Sequence, residues 1–94
     1  DIQQRMIIES KIKAKSFLNE IEFVKKDIEL LCSKNDIEII EKNINMLKSA
    51  IKTNDSDMIN KHIEDLNKST EKFAQRKINK EFSNFVGKGV DEIS

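Results

Sequence analysis

Proline, tryptophan and tyrosine are absent from the 94 residues, and the two glycines, Gly87 and Gly89, both lie near the C-terminus. Residues 1–86 therefore contain neither of the two strong helix breakers. Sheets and barrels need frequent tight turns, which proline and glycine supply, so their scarcity argues against a fold that contains strands. The composition predicts an all-α fold with an aliphatic core, in which phenylalanine is the only aromatic residue.

The sequence also has little cysteine and no excess of charge of either sign. A single cysteine, Cys32, excludes an intramolecular disulfide and a multi-thiolate metal site. The 17 Lys+Arg residues balance 17 Asp+Glu residues, so the chain has no sustained basic field for nucleic acid or an anionic membrane. No stretch approaches the roughly 20 apolar residues of a membrane span. We therefore expect a soluble domain that binds neither nucleic acid nor membrane.

Hydrophobic periodicity divides the chain into three predicted helices. The first helix covers about residues 2–32, and the second follows Ser33, its predicted N-cap. The third begins near Asp55 and ends at Gly87-Lys88-Gly89. Because short loops make consecutive helices antiparallel, we predict a long helix followed by two shorter helices in a small antiparallel bundle. The tail over residues 87–94 is predicted to be frayed.

Each predicted helix has one main apolar face at a spacing of three and four residues, and Asn54 is the predicted N-cap of the third helix. In that third helix, Ile78, Phe82 and Phe85 fall on a face that is rotated from the earlier one. Either the helix bends or breaks near residues 75–79, or its end leaves the bundle. The main apolar faces comprise Ile2, Met6, Ile7, Ala14, Phe17, Leu18, Ile21, Val24, Ile28 and Leu31, then Ile37, Ile40, Ile44, Leu47 and Ile51, then Ile59, Ile63, Leu66, Thr70 and Phe73.

The first helix also carries a second apolar strip, formed by Ile8, Ile12, Phe23 and Leu30. A helix with two apolar faces has two neighbours to contact. The two shorter helices can cover the first only from about Ala14 onward, so we expect Ile8 and Ile12 to be exposed. An uncovered strip of this kind favours self-association of the isolated chain.

Candidate catalytic and metal-binding residues are few. His62 lies at the edge of a core face, and the helical wheel places Glu64 and Asp65 elsewhere, which favours a partly buried structural histidine. Cys32 has no histidine at hand and no cation closer in sequence than Lys34, which favours a structural role as well. We predict no catalytic, cofactor-binding or metal-ligating residue in this chain, and no enzyme activity.

Several sequence strings, taken together, are similar to one known family. Residues 68–79, KSTEKFAQRKIN, resemble a K-x-T-x-x-F-A-x-R-[RK] pattern, and residues 87–93, GKGVDEI, resemble a closing G-x-x-V-D-E-[VI] pattern. Both patterns are found in the C-terminal helical lid of seventy-kilodalton heat-shock chaperones, in the HscA-type branch that serves iron-sulfur cluster assembly. Residues 54–59 resemble the family's acidic junction between helices. The start of the lid's long helix is matched by the spacing of Asp1, Arg5, Met6, Glu9 and Lys11.

The resemblance implies that residues 1–94 are a lid subdomain of a longer chaperone in the bacterial cytoplasm, and the absence of an initial methionine fits this expectation. In that family an ATPase domain drives a β-sandwich that grips an extended client peptide, and the lid closes over the peptide to slow its release. The implied partners are the β-sandwich of the same chain, a client peptide from the iron-sulfur scaffold protein, and a J-domain co-chaperone that acts through the other domains. ATP is the implied cofactor of the full-length protein, with none in this chain.

Lid docking is where the sequence departs from the general-purpose members of the family. Those members latch the lid partly through an acidic residue and a histidine on the early turns of the long helix, whereas this chain has no histidine before His62. The candidate docking face consists instead of Ile8, Lys11, Ile12 and Lys15. The alternative hypothesis is a free-standing helical adaptor or dimerisation module that uses the second apolar strip.

Overall fold

The computed structural model describes the backbone of residues 1–93 and the side chains of residues 1–83. Within that part of the chain the only regular elements are α-helices, joined by short connections, and no strand occurs. The all-α prediction is confirmed, as is a long first helix with the following helices packed together. The elements are α1 (Ile2–Phe23), α2 (Lys25–Leu31), α3 (Lys34–Ile51) and α4 (Ser56–Ile93).

Side-chain caps fix where the last two helices begin. The Ser33 hydroxyl oxygen accepts a hydrogen bond of 3.2 Å from the backbone N–H of Asp36, which confirms the predicted start of α3. At the start of α4, Asp55 Oδ1 accepts from the backbone N–H of Met58 at 3.1 Å. Asp55 is therefore the N-cap, and the prediction of Asn54 was wrong by one residue because α4 begins at Ser56.

The predicted first helix is divided at Val24, which corrects the expectation of one continuous helix. The Val24 N–H donates to the carbonyl oxygens of both Glu20 (3.3 Å) and Ile21 (3.1 Å), so the last turn of α1 is tightened toward 3₁₀ geometry. The Val24 carbonyl then accepts from the N–H of Ile28 at 3.0 Å, and the helical path resumes. The apolar residues keep their helical spacing across Val24, so hydrophobic periodicity alone does not reveal the irregularity.

The longest helix is α4, with 38 residues, which corrects the expectation that both later helices are shorter than the first. It is uninterrupted across residues 75–79. No proline or glycine occurs in that stretch, so the sequence offers no cause for a break. Ile78 and Phe82 are exposed, which agrees with the other prediction, that the helix end leaves the bundle. Phe85 lies outside the residues whose side chains are described.

The C-terminal end of α4 differs from the sequence prediction. The helix continues to Ile93, past the predicted stop at glycines 87–89. Glycine lowers helix propensity by about 1 kcal/mol relative to alanine without forbidding the helical conformation. The predicted frayed tail over residues 87–94 lies outside the side chains that the structure describes, and it stays a prediction.

Two polar contacts define the direction of the helices. Ser10 Oγ donates to Asn60 Oδ1 at 3.0 Å, and Lys77 Nζ lies 3.4 Å from Asp27 Oδ2. Both pairs are separated by 50 residues, so α1 and α2 advance along α4 in the same direction. Helix α3 follows α2 and precedes α4 in the chain, and it runs antiparallel to these helices, as short connections require.

The core lies where α1, α2 and α3 meet α4. The predicted apolar faces of α3 and α4 are confirmed, whereas Ile2 and Met6 at the start of α1 are exposed. The bundle covers α1 from Ser10 rather than from Ala14, because both of these side chains are buried. The buried apolar residues are Ala14, Ile21, Ile28, Ile40, Leu47, Ala50, Ile59, Leu66 and Phe73.

Candidate functional site

The predicted docking residues lie on α1 close to its N-terminal end. Ile8 is 57% exposed and Ile12 is 63% exposed, as the two-faced pattern of the helix predicts. Lys15 is exposed on the next turn. Residues 2–9 of α1 precede Ser10, the first residue of the helix that is buried against the bundle. This end of α1 is therefore open to a partner on more than one side.

Lys11, the fourth predicted docking residue, is half-buried and turned toward the bundle. Its Nζ donates to Asn54 Oδ1 at 3.3 Å, in the loop between α3 and α4. The contact links α1 to that loop. The structure thus separates Lys11, which contacts the loop between α3 and α4, from Ile8, Ile12 and Lys15, which are exposed.

A shallow groove between α1 and α4 includes Ile12 in its lining. Phe17 and Ile63 supply further apolar surface, and Glu9 and Glu64 also line the groove. Because the groove is open along its length, it offers a surface for another chain rather than an enclosed pocket for a small molecule.

The motif at residues 68–79 is a structural element of the bundle. Thr70 and Phe73 are buried, and the Thr70 hydroxyl donates to the carbonyl of Asn67 at 2.9 Å within the helix. Lys77 pairs with Asp27 on α2. Among the pattern residues of this motif, Thr70, Phe73, Arg76 and Lys77 thus meet the other helices, whereas Lys68 and Ala74 are exposed.

Arg76, in the same motif, connects three helices. Its Nη1 donates to the carbonyl oxygen of Leu31 at 3.1 Å, at the end of α2, and lies 3.3 Å from Asp36 Oδ2, in the first turn of α3. The guanidinium therefore satisfies a C-terminal carbonyl of one helix and an acidic group of the next. The sequence pattern does not reveal this contact, since 45 and 40 residues separate Arg76 from its two partners.

We expect Arg76→Leu to lower the free energy of unfolding by about 0.5–1 kcal/mol, because the hydrogen bonds lie in a partly exposed place. Urea denaturation of Arg76→Leu, Asp36→Asn and the double variant would measure the coupling energy between the two side chains. Arg5, the other arginine of the chain, is exposed at the start of α1, so Arg5→Leu is the matched control. Additive effects of the Arg76 and Asp36 changes would show that the ion pair contributes nothing.

Cys32 lies at the end of α2, half-buried against the core. Burial raises the pKa of its thiol, and the nearby Asp36 carboxylate acts in the same direction, whereas the Arg76 guanidinium opposes them. Lys34 is the nearest cation after Cys32 in the sequence, but the fold brings a more distant one, Arg76, close enough to act on the thiol. A thiol with a raised pKa is a weak nucleophile at neutral pH.

His62 is partly buried, as predicted, with 14% of its side chain exposed. Its Nδ1 is buried without a hydrogen-bond partner and lies 3.9 Å from Asp65 Oδ2. The prediction that Asp65 points elsewhere was wrong, since residues at i and i+3 are neighbours on a helix surface. No third ligand-type side chain joins this pair, and no cluster of three or more His, Cys, Asp or Glu residues with metal-binding geometry occurs among the described residues.

Comparisons with known proteins do not extend this picture. No family model, no curated protein and no solved structure matches the chain. None of the helices, over the residues that the structure describes, combines the length and apolar character needed to cross a bilayer. The residues and their geometry are therefore the basis for the function proposed below.

Proposed function

We propose that the chain is the helical lid of the substrate-binding domain of an ATP-dependent chaperone that assists iron-sulfur cluster assembly. The observation that carries the proposal is the exposure of Ile8 and Ile12 on the end of α1 that precedes the bundle. A lid needs a surface that rests on the β-sandwich and a separate rigid body that restricts the client peptide. Here the strip on α1 supplies the first and the bundle supplies the second.

The sequence strings that resemble the lid family support the proposal. Buried Thr70 and Phe73, together with Arg76 and Lys77, hold α4 against the rest of the bundle. In this proposal the chain itself is not catalytic. ATP hydrolysis, client binding and the J-domain co-chaperone belong to other domains, and the whole protein works in the bacterial cytoplasm.

The double change Ile8→Ser and Ile12→Ser tests the docking role in the full-length chaperone. Burying an isoleucine contributes about 1.5–3 kcal/mol, and about 1.4 kcal/mol corresponds to a tenfold change in a rate or equilibrium constant. The rate at which a fluorescent client peptide leaves the ADP-bound chaperone should therefore rise at least tenfold.

The matched control is Ile39→Ser, since Ile39 is an exposed isoleucine on α3, away from the strip. It should leave the release rate unchanged. Release at the wild-type rate from the Ile8→Ser, Ile12→Ser protein, with normal thermal unfolding, would overturn the docking assignment. The reading frame upstream of Asp1 gives an independent test, because a lid requires a β-sandwich and an ATPase domain on the same chain.

A further inference from the structure

Phe23 and Leu30 are the two most exposed large apolar side chains among residues 1–83. Phe23 is 92% exposed and Leu30 is 77% exposed, although Ile21 and Ile28 on the same helices are buried. The pair flanks the junction between α1 and α2 at Val24. It lies more than three helical turns beyond Ile8 and Ile12 along the strip, so the docking role proposed for those two residues leaves it unaccounted for.

Four charged residues lie between Phe23 and Leu30, and two of them, Lys26 and Asp27, stand three or four residues from both apolar side chains, on the same side of a helix. Lys26 is exposed and forms no ion pair with the described side chains. Asp27 is half-buried and lies 3.4 Å from Lys77 through its Oδ2, and a carboxylate can accept further donors at its two oxygens. Along the helix the order is apolar, cation, anion, apolar, at spacings of three, one and three residues. This arrangement is its own complement when the direction is reversed.

We propose that the segment from Phe23 to Leu30 is a docking surface for a second copy of this chain. A twofold axis through the midpoint between Lys26 and Asp27 places two copies of the segment antiparallel. Phe23 then meets Leu30 of the second copy, and Lys26 meets Asp27 of the second copy, with each contact made twice. Closed twofold symmetry of this kind is the commonest arrangement of homo-oligomers. The proposal is independent of the lid function, because it uses a different part of α1 and α2.

The size of the surface sets the strength of the dimer. Two phenylalanines bury about 150–250 Å² each when fully covered, and two leucines add a smaller area. The total is below the roughly 1,200–2,000 Å² of stable interfaces. The dimer is therefore weak and reversible. It forms at high local concentration, with a dissociation constant between about 10 µM and about 1 mM.

Sedimentation equilibrium of the 94-residue chain over that concentration range tests the proposal. The wild-type chain should shift from monomer toward dimer, and Phe23→Ser with Leu30→Ser should remain monomeric. Both side chains are exposed, so thermal unfolding of the variant, followed by circular dichroism, should match the wild type. The comparator Ile8→Ser, Ile12→Ser should still dimerise. A wild-type chain that stays monomeric at about 1 mM would overturn the proposal, as would a dimer that survives loss of both Phe23 and Leu30.

A charge exchange tests the twofold geometry itself. Lys26→Glu places two carboxylates opposite each other at both pairs, and the dissociation constant should rise at least fivefold. The triple variant Lys26→Glu, Asp27→Lys, Lys77→Glu exchanges the signs of both ion pairs, including the one with α4, and should restore dimerisation. No change with Lys26→Glu, or no recovery in the triple variant, would contradict this arrangement. If binding of another protein, but not of a second copy, required Phe23 and Leu30, the proposed occupant would be wrong.

Discussion

Replacing Phe73 with alanine is expected to lower the free energy of unfolding by about 3–5 kcal/mol. The ring is 6% exposed and belongs to the core cluster at which α4 meets the other helices. Removing it forfeits a large apolar burial and leaves a cavity that the neighbouring helices fill only partly. A domain of this size is stable by about 5–15 kcal/mol in total. The variant should therefore unfold at a much lower urea concentration, as measured by circular dichroism.

Phe82→Ala is the matched control, since Phe82 lies on the same helix and is 65% exposed. Its effect should stay within about 0.5 kcal/mol, because alanine favours the helix and little burial is lost. Equal losses for Phe73→Ala and Phe82→Ala would mean that the end of α4 packs on the bundle.

Leu66→Ala and Leu47→Ala should each lower the free energy of unfolding by about 2–5 kcal/mol. Both side chains are fully buried, one on α4 and one on α3. Ile44, which the sequence places on the same core face, is only half-buried. Ile44→Ala should therefore have a smaller effect than either leucine change. Urea denaturation curves with unchanged slopes would show that stability alone has changed.

The control for the leucines is Met46→Ala, because Met46 immediately precedes Leu47 on α3 and is exposed. Its loss should cost no more than about 0.5 kcal/mol. If Met46→Ala lowered the free energy of unfolding as much as Leu47→Ala, the core face of α3 would have to be shifted by one residue from the face described above. Such a shift would also move Ile40 out of the core.

The faces of α3 and α4 were predictable because each follows a regular helical spacing over several turns. Ile40 and Leu47 on α3, and Ile59, Leu66 and Phe73 on α4, are all buried as the pattern predicts. The absence of proline, and of glycine before residue 87, made the all-α class predictable as well. Local spacing and composition carry this information directly, without knowledge of the partner helix.

The remaining features depend on contacts between distant residues. The division at Val24 leaves the apolar pattern intact, so the pattern does not reveal it. The contact of Arg76 with Leu31 and Asp36 depends on how α4 is aligned with the other helices. A helical wheel describes one helix at a time and contains no information about that alignment. Burial of Ser10 depends in the same way on its partner Asn60.

The candidate docking surface was partly predictable. Exposure of Ile8 and Ile12 follows from the second apolar strip, since one helix cannot bury two opposite faces in a small bundle. The role of Lys11 was not predictable, because its hydrogen bond to Asn54 crosses 43 residues. The sequence pattern is the same for a lysine that is exposed beside the apolar strip and for a lysine that hydrogen-bonds to a loop, so it does not distinguish the two.

The parallel course of α1 and α4 determines how far apart two molecules bound to the chain would lie. The start of α1 and the end of α4 lie at opposite ends of a body whose longest dimension is 62 Å. A small globular domain is about 30 Å across, so two such domains, one at each end, have room without touching. Occupation of one end of this body therefore leaves room at the other end.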